Sequence, residues 1–224
     1  MLIPSLVGLA TLVALHNVNA ADAKLASEKE KFSYAIGFQI GQGFKRDELD
    51  IDVATMSQAI KDVIDGKAPQ VSVDEMRSAM ENTQKVLVAK RNAQAEKAKA
   101  AGIAYLAENK KKDGVITRDS GLQYKVLKTG KGKQPTADAS ITAHYKGTLI
   151  DGHEFDSSYR RGEPATFGVG QVIKGWQEVL PLMKEGDKWE VYIPSELAYG
   201  ERGSAGGIGP NETLIFEIEL LKVN

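Results

Sequence analysis

The chain has 224 residues, 42% of them hydrophobic and 26% charged, which is the balance of ordinary soluble globular protein with room for two small domains. A formal net charge of −1, with basic and acidic residues interspersed, provides no field to attract nucleic acid. Without a single cysteine there is no disulfide framework, no thiolate chemistry and no lipid anchor on an N-terminal cysteine.

The first segment carries an apolar run from Leu6 to Leu15 followed by Val18-Asn19-Ala20, a pattern suited to cleavage between Ala20 and Ala21. Residues 1–20 are therefore read as a signal peptide and the chain as exported, although Met1 to Ser5 contains no Lys or Arg. From Leu25 to Phe44 the apolar positions Leu25, Phe32, Ala35, Ile36, Ile40 and Phe44 recur mostly at helical steps, with Lys and Glu opposite. Asp52 can cap a second helix carrying Val53, Met56, Ala59, Ile60 and Val63, which Gly66-Lys67-Ala68-Pro69 ends. Two helices this short cannot bury much alone, so residues 21–71 are expected to be a dimerisation domain whose apolar stripes meet a second copy.

Ser72 with Glu75 reads as a capping box opening a helix that meets no strong breaker before Lys112-Asp113-Gly114. About forty residues at roughly 1.5 Å each predict a rod on the order of 60 Å over residues 72–112. Val73, Met76, Met80, Thr83 and Leu87 mark an apolar first part, whereas Arg91 to Ala101 mixes alanine with Lys, Glu and Gln. That second part is expected to stand in water as a stalk, with Gly102 its weak point.

Beyond residue 113 the period changes to two, with Ile141, Ala143 and Tyr145 on one face and Thr142, His144 and Lys146 on the other. Segments 121–127, 188–193 and 214–220 are further strand candidates, and Gly175 to Met183 reads as the one helix among them. Chemistry-bearing residues here are aromatic and apolar. They run His144-Tyr145-Lys146-Gly147, Glu154-Phe155-Asp156-Ser157-Ser158, Phe167, Val172-Ile173-Lys174-Gly175-Trp176, Ala198-Tyr199-Gly200, Ile208-Gly209-Pro210 and Leu214-Ile215-Phe216.

In these residues the chain resembles FKBP-type peptidyl-prolyl cis-trans isomerases, and its layout resembles the two-domain Mip and FkpA group of bacteria. The resemblance implies an α+β protein: an all-α N-terminal dimerisation region, a long linker helix, then an antiparallel β-sheet wrapped on one short helix over residues 113–224. It implies catalytic roles for Tyr145, Phe155, Asp156 and Tyr199, and substrate binding by Phe167, Val172, Ile173, Trp176, Ile208 and Phe216, with Trp176 as the floor. Tyr199 and the backbone amide of Ile173 would donate hydrogen bonds to substrate, while Asp156 would orient its neighbours. No metal or cofactor is implied. Two departures from the family pattern, Ala165 where an aromatic is common and Ser204-Ala205 in the flap, point to an open rim.

The implied activity is acceleration of Xaa-Pro rotation in unfolded or partly folded exported chains, in the periplasm or at the outer membrane or cell surface of a Gram-negative bacterium. FK506- and rapamycin-type macrolides are implied ligands. Two rivals come with the same resemblance: a holdase acting through the helical cleft, and a surface adhesion or virulence factor with the isomerase fold as a binding module. Other candidates read as structural. His144 and His153 are expected at the surface, Ser157-Ser158 as a turn cap, and Arg160-Arg161 as a solvated turn in preference to a contact for phosphate or an acidic chain, since no triad or nucleotide loop accompanies them.

Overall fold

The computed structural model describes residues 25–224, so the expected leader over residues 1–20 lies outside the described residues. The chain divides into two units, one ending at Ser72 and the other running from Val73 to Asn224.

In the first unit, α1 (Glu28–Arg46) opens on a reciprocal cap. The Ser27 hydroxyl accepts the Glu30 N–H and the Glu30 carboxylate accepts the Ser27 N–H, satisfying two donors that a helix start leaves free. Asp52 caps α2 (Val53–Ile64) by accepting the Thr55 N–H. The one buried side chain described in these helices is polar: Asp62 accepts from Gln58, Lys67 and Gln70, which ties the chain beyond α2 back onto it. No apolar side chain of α1 or α2 is buried, and Phe32 and Val63 are 68% and 78% exposed.

The second unit starts with α3 (Val73–Asn109), which passes unbroken through Gly102. Seven strands follow: β1 (Val115–Thr117), β2 (Gln123–Lys128), β3 (Ser140–Leu149), β4 (Glu154–Ser157), β5 (Ala165–Gly168), β6 (Lys188–Ile193) and β7 (Leu214–Val223). They form one antiparallel sheet in the order β1-β2-β6-β7-β3-β4, with β5 also paired to β3. β3 can hold two partners on one edge because β4 takes Lys146 to Thr148 and β5 takes Ser140 to Ala143. A single helical turn, α4 (Ser158–Arg161), carries the chain between them.

Strict alternation turns Ile141, Ala143, Tyr145 and Leu149 inward, where they meet Val191 and Ile193 of β6 and Phe216, Ile218 and Leu220 of β7. α5 (Lys174–Val179) closes this layer by burying Trp176 and Val179. The predicted helix to Met183 is shorter than expected as an α-helix. Leu180–Leu182 is a 3-10 turn containing Pro181, whose ring nitrogen has no hydrogen to continue the ladder.

The far end of α3 corrects the expectation of a stalk with a weak point at Gly102. Ala95, Ala98, Gly102, Tyr105, Leu106 and Asn109 recur at steps of three and four and are the less exposed or buried positions. Gly102 is buried because the helix comes so close to Thr213 that an added Cβ would sit 2.3 Å from its Oγ1. Further along, the Asn109 amide donates to Gln123 Oε1 (3.0 Å), Gln123 Nε2 donates to the Leu106 carbonyl (2.9 Å), and Tyr105 meets the Tyr192 ring. Glycine serves here for close approach rather than flexibility.

Candidate active site

Four rings form the floor of the site. Trp176 projects from α5 and meets Tyr145 of β3, Phe167 of β5 and Phe216 of β7 edge to face, with centroids 5.6, 5.4 and 5.3 Å apart. Such aromatic pairs contribute about 0.5–1.5 kcal/mol each beyond the area they bury. Phe155 adds a fifth ring against Phe216 at 5.5 Å. That contact needs Gly147, because a Cβ there would lie 2.6 Å from the Phe155 ring and 2.8 Å from Phe216.

Above the floor is a cavity of about 560 Å³. All ten residues expected at the site line it: Tyr145, Phe155, Asp156, Phe167, Val172, Ile173, Trp176, Tyr199, Ile208 and Phe216. Gln171, Ser204, Ala205 and Gly206 complete the lining. Ser204 and Ala205 thus stand at the rim, whereas Ala165 packs against the core from β5.

Two of the lining residues carry donors without a described acceptor. The Ile173 carbonyl takes the N–H groups of Trp176 and Gln177, while among the described residues nothing accepts the Ile173 N–H itself. Gln177 Nε2 also donates to the Val172 carbonyl (2.7 Å) and holds this corner. Tyr199 is 39% exposed, and burial together with the nearby Asp156 charge raises its hydroxyl pKa, so it stays a protonated donor.

Asp156 belongs to a closed triangle. The Tyr145 hydroxyl donates to its Oδ2, Arg161 Nη1 donates to its Oδ1, and Arg161 Nη2 donates to the Tyr145 hydroxyl at 2.7 Å. Burial pushes the Asp156 carboxyl up, but the bonds from Tyr145 and Arg161 outweigh it and hold the group below the usual carboxylate range. A carboxyl whose folded pKa is depressed contributes its stabilisation fully above the unfolded value and loses it as pH falls through the folded one. With the unfolded value about 3.9 and Tyr199 raised, the site chemistry is expected to be level between about pH 5 and 8. A peptide-exchange profile with a midpoint inside that window would contradict an ionised Asp156.

Arg161 is the residue that the sequence reading missed, having been taken for a solvated turn. Ser157 caps α4 by accepting the Arg160 N–H, and this one helical turn returns Arg161 beside Asp156 and over the Tyr145 ring. The signal was there in Ser157 as a cap and Gly162 as a left-handed stop, on either side of a single four-residue turn. Ser158 also departs from expectation. It is fully buried, accepts the Tyr145 N–H (2.8 Å) and donates to the Tyr145 carbonyl (3.1 Å), serving the backbone of β3 where pairing with β4 stops. His144 completes that arrangement with Nδ1 3.0 Å from Ser158 Oγ and its ring stacked on Tyr159, so it is more than a solvated surface group. His153 sits in its turn with its N–H on Asp151.

Comparison with known proteins places this geometry. A family model described as FKBP-type peptidyl-prolyl cis-trans isomerase matches residues 131–221, and one described as the domain amino terminal to it matches residues 29–126. The outer membrane protein MIP of Legionella longbeachae is 43% identical over 98% of this chain and 95% of its own length. The peptidyl-prolyl cis-trans isomerase Mip of Coxiella burnetii is 44% identical over 91% and 90%. The crystal structure of FkpA from Escherichia coli superposes with a TM-score of 0.65 at 36% identity, covering 90% of this chain and 99% of that one. With both regions matched in order and relatives this similar over nine-tenths or more of their length, the chain belongs to the FKBP-type peptidyl-prolyl cis-trans isomerase family.

Proposed function

We propose that this chain accelerates cis-trans rotation of Xaa-Pro bonds in other polypeptides, and that the cavity floored by Trp176 is where it does so. The observation that carries the reading is the combination of an aromatic cavity with unclaimed donors at Ile173 and Tyr199. Rotation about the bond has a barrier of about 18–20 kcal/mol and breaks no covalent bond. In the twisted transition state the amide loses its resonance, so a site gains by holding the prolyl ring in a dry cavity that fits the twisted form best. A thousandfold acceleration asks for only about 4 kcal/mol of differential binding.

The residues divide that work. Trp176, Tyr145, Phe167, Phe155, Val172 and Phe216 take the prolyl ring, Ile208 covers it, and the Ile173 N–H and Tyr199 hydroxyl donate to substrate carbonyls. Asp156, kept charged by Arg161, fixes the Tyr145 ring and places a negative charge near the acyl carbonyl carbon. Burying roughly 100 Å² of prolyl ring contributes about 2.5 kcal/mol, so single-site affinity is weak and substrates are broad. The cavity is also of a size suited to FK506- or rapamycin-type macrolides, within the range of about 300–1,000 Å³ for small-molecule sites. Exchange of a short Xaa-Pro peptide is expected to be fast with the folded protein and slower by about tenfold or more with Tyr199→Ala or Asp156→Ala. No acceleration by the wild type would reduce the domain to a binding module.

The first unit acts, on this reading, as a homodimer through α1 and α2, and the exposed apolar side chains there, Phe32, Ile36, Phe38 and Val63 among them, support it. The same surface favours a second activity as a holdase for unfolded chains. Two isomerase domains held by one dimer would raise residence on a client by effective concentration. Export to the periplasm or outer membrane fits the leader pattern and the name of the Legionella longbeachae relative. Light scattering is expected to give twice the monomer mass, and protection of a proline-free client should survive Tyr199→Ala. A monomer would remove the dimer, and lost protection would remove the holdase.

A further inference from the structure

The loop between β6 and β7 carries both Tyr199 and Ile208, and it is folded into a unit of its own. The Gly203 and Asn211 N–H groups both donate to the Gly200 carbonyl, at 3.3 and 2.9 Å, and the Ser204 N–H donates to the Ile208 carbonyl at 2.9 Å. One side of this unit lines the cavity through Tyr199, Ser204, Ala205, Gly206 and Ile208. Its other side rests on α3. Arg91 Nη2 donates to the Arg202 carbonyl (3.0 Å), and Asn211 Nδ2 donates to the Ala95 carbonyl (3.4 Å).

Asn211 is 8% exposed and has a φ of +57°, a left-handed conformation that glycine and asparagine tolerate best. Glycine would serve the backbone equally well, so the side chain has a separate use. It reaches a helix carbonyl more than a hundred residues away, and it does so from the residue that closes the loop onto Gly200. Beyond it, Thr213 is pressed against Gly102. The loop is therefore held at both ends by α3, at Arg202 before the flap and at Asn211 and Thr213 after it. At the tip of the flap, Gly206 and Gly207 have φ of +104° and +98° and an added Cβ at Gly206 would meet nothing, so the tip has little packing of its own, whereas Ile208 behind it is buried at 8% exposure.

We propose that Arg91 and Asn211 are positioning residues for the isomerase site: through them α3 sets where Tyr199 and Ile208 stand over the cavity. This rests on the isomerase reading above. Neither side chain touches the cavity, and each acts through the backbone of the loop. Releasing one anchor leaves the floor at Trp176 intact and lets the flap sample more positions, so substrate must order it on binding. The cost falls on KM rather than on the bond-rotation step.

The test uses the full chain with Arg91→Ala, Arg91→Lys and Asn211→Gly, beside Arg77→Ala, which alters an exposed α3 pair with Asp74 remote from the loop. Peptide exchange gives kcat and KM, and ¹⁵N relaxation dispersion on the amides of residues 203–209 reads flap motion without substrate. One hydrogen bond of ordinary strength corresponds to a change of about fivefold. Arg91→Ala and Asn211→Gly are expected to raise KM by about that factor with kcat nearly unchanged and with new exchange in the flap amides. Arg91→Lys, which keeps a donor within reach of the Arg202 carbonyl, should recover most of the loss, and Arg77→Ala should behave as wild type. Folded Arg91→Ala and Asn211→Gly proteins with wild-type flap dispersion would overturn the proposal, as would a loss confined to kcat. A wild-type protein without isomerase activity would overturn the function reading instead, and the dispersion experiment would still decide whether α3 holds the flap.

Discussion

Replacing Trp176 by alanine is expected to lower stability by about 3–5 kcal/mol and to remove isomerase activity together with the cavity floor. The side chain is 4% exposed and is the shared neighbour of three rings at 5.3 to 5.6 Å, so truncation deletes one ring and leaves three others facing a void. The surroundings cannot close over it cheaply, because Tyr145, Phe167 and Phe216 come from three different strands of one sheet. Domains of this kind are stable by only about 5–15 kcal/mol, so the loss is a large fraction of the whole. Trp176→Phe is the informative companion. No described residue accepts the buried Trp176 Nε1, so phenylalanine gives up no hydrogen bond within the protein and should cost about 1–2 kcal/mol as a change of volume. Urea unfolding followed by the fluorescence of Trp189, the other of two tryptophans, measures both variants. A Trp176→Ala protein within 1 kcal/mol of wild type would mean that the ring cluster is not what holds the floor.

Gly102→Ala is expected to destabilise the second unit by about 1–3 kcal/mol, against the rule that alanine improves a helix interior by about 1 kcal/mol over glycine. The reversal comes from Thr213, whose Oγ1 and Cβ would lie 2.3 and 3.2 Å from the new methyl group. Thr213 is 3% exposed, so it has little freedom to turn aside. Adding Thr213→Ala removes the nearer of the two atoms, and the double variant should recover more than half of the loss, a coupling that a double-mutant cycle reads directly. Thermal unfolding and hydrogen exchange over residues 103–109 are the measurements. A Gly102→Ala protein more stable than wild type would show that α3 leaves the sheet in solution.

These two positions also show what the sequence made legible and what it did not. β3 was readable because one face is buried and the other wet, so Ile141, Ala143 and Tyr145 alternate with polar residues. α1 was readable through helical spacing, and α2 through helical spacing and the Asp52 cap. The ten lining residues were found because the family resemblance fixes their spacing, and the fold brings all of them to one cavity. The docked face of α3 escaped because its first positions, Ala95, Ala98 and Gly102, are small residues that carry no hydrophobic signal, which leaves Tyr105 and Leu106 too few to mark a stripe. Arg161 escaped for a different reason: whether an arginine near an aspartate is solvated or locked depends on one turn of helix that brings it round. β1, β4 and β5, at three or four residues each, are too short for any period to register.

The place of β7 bears on how the protein is made. It is the last of the described strands in sequence and yet it lies inside the sheet, paired with β6 on one edge and β3 on the other over residues 214–223. Until those residues have left the ribosome, β3 and β6 lack the neighbour that joins them, and Tyr145 and Trp176 lack Phe216. The nascent chain therefore cannot close its sheet early and remains open while it is being synthesised, the state in which a polypeptide can still be threaded through a narrow translocation channel. A chain stopped before Leu214 would lack not an edge but the middle of the sheet.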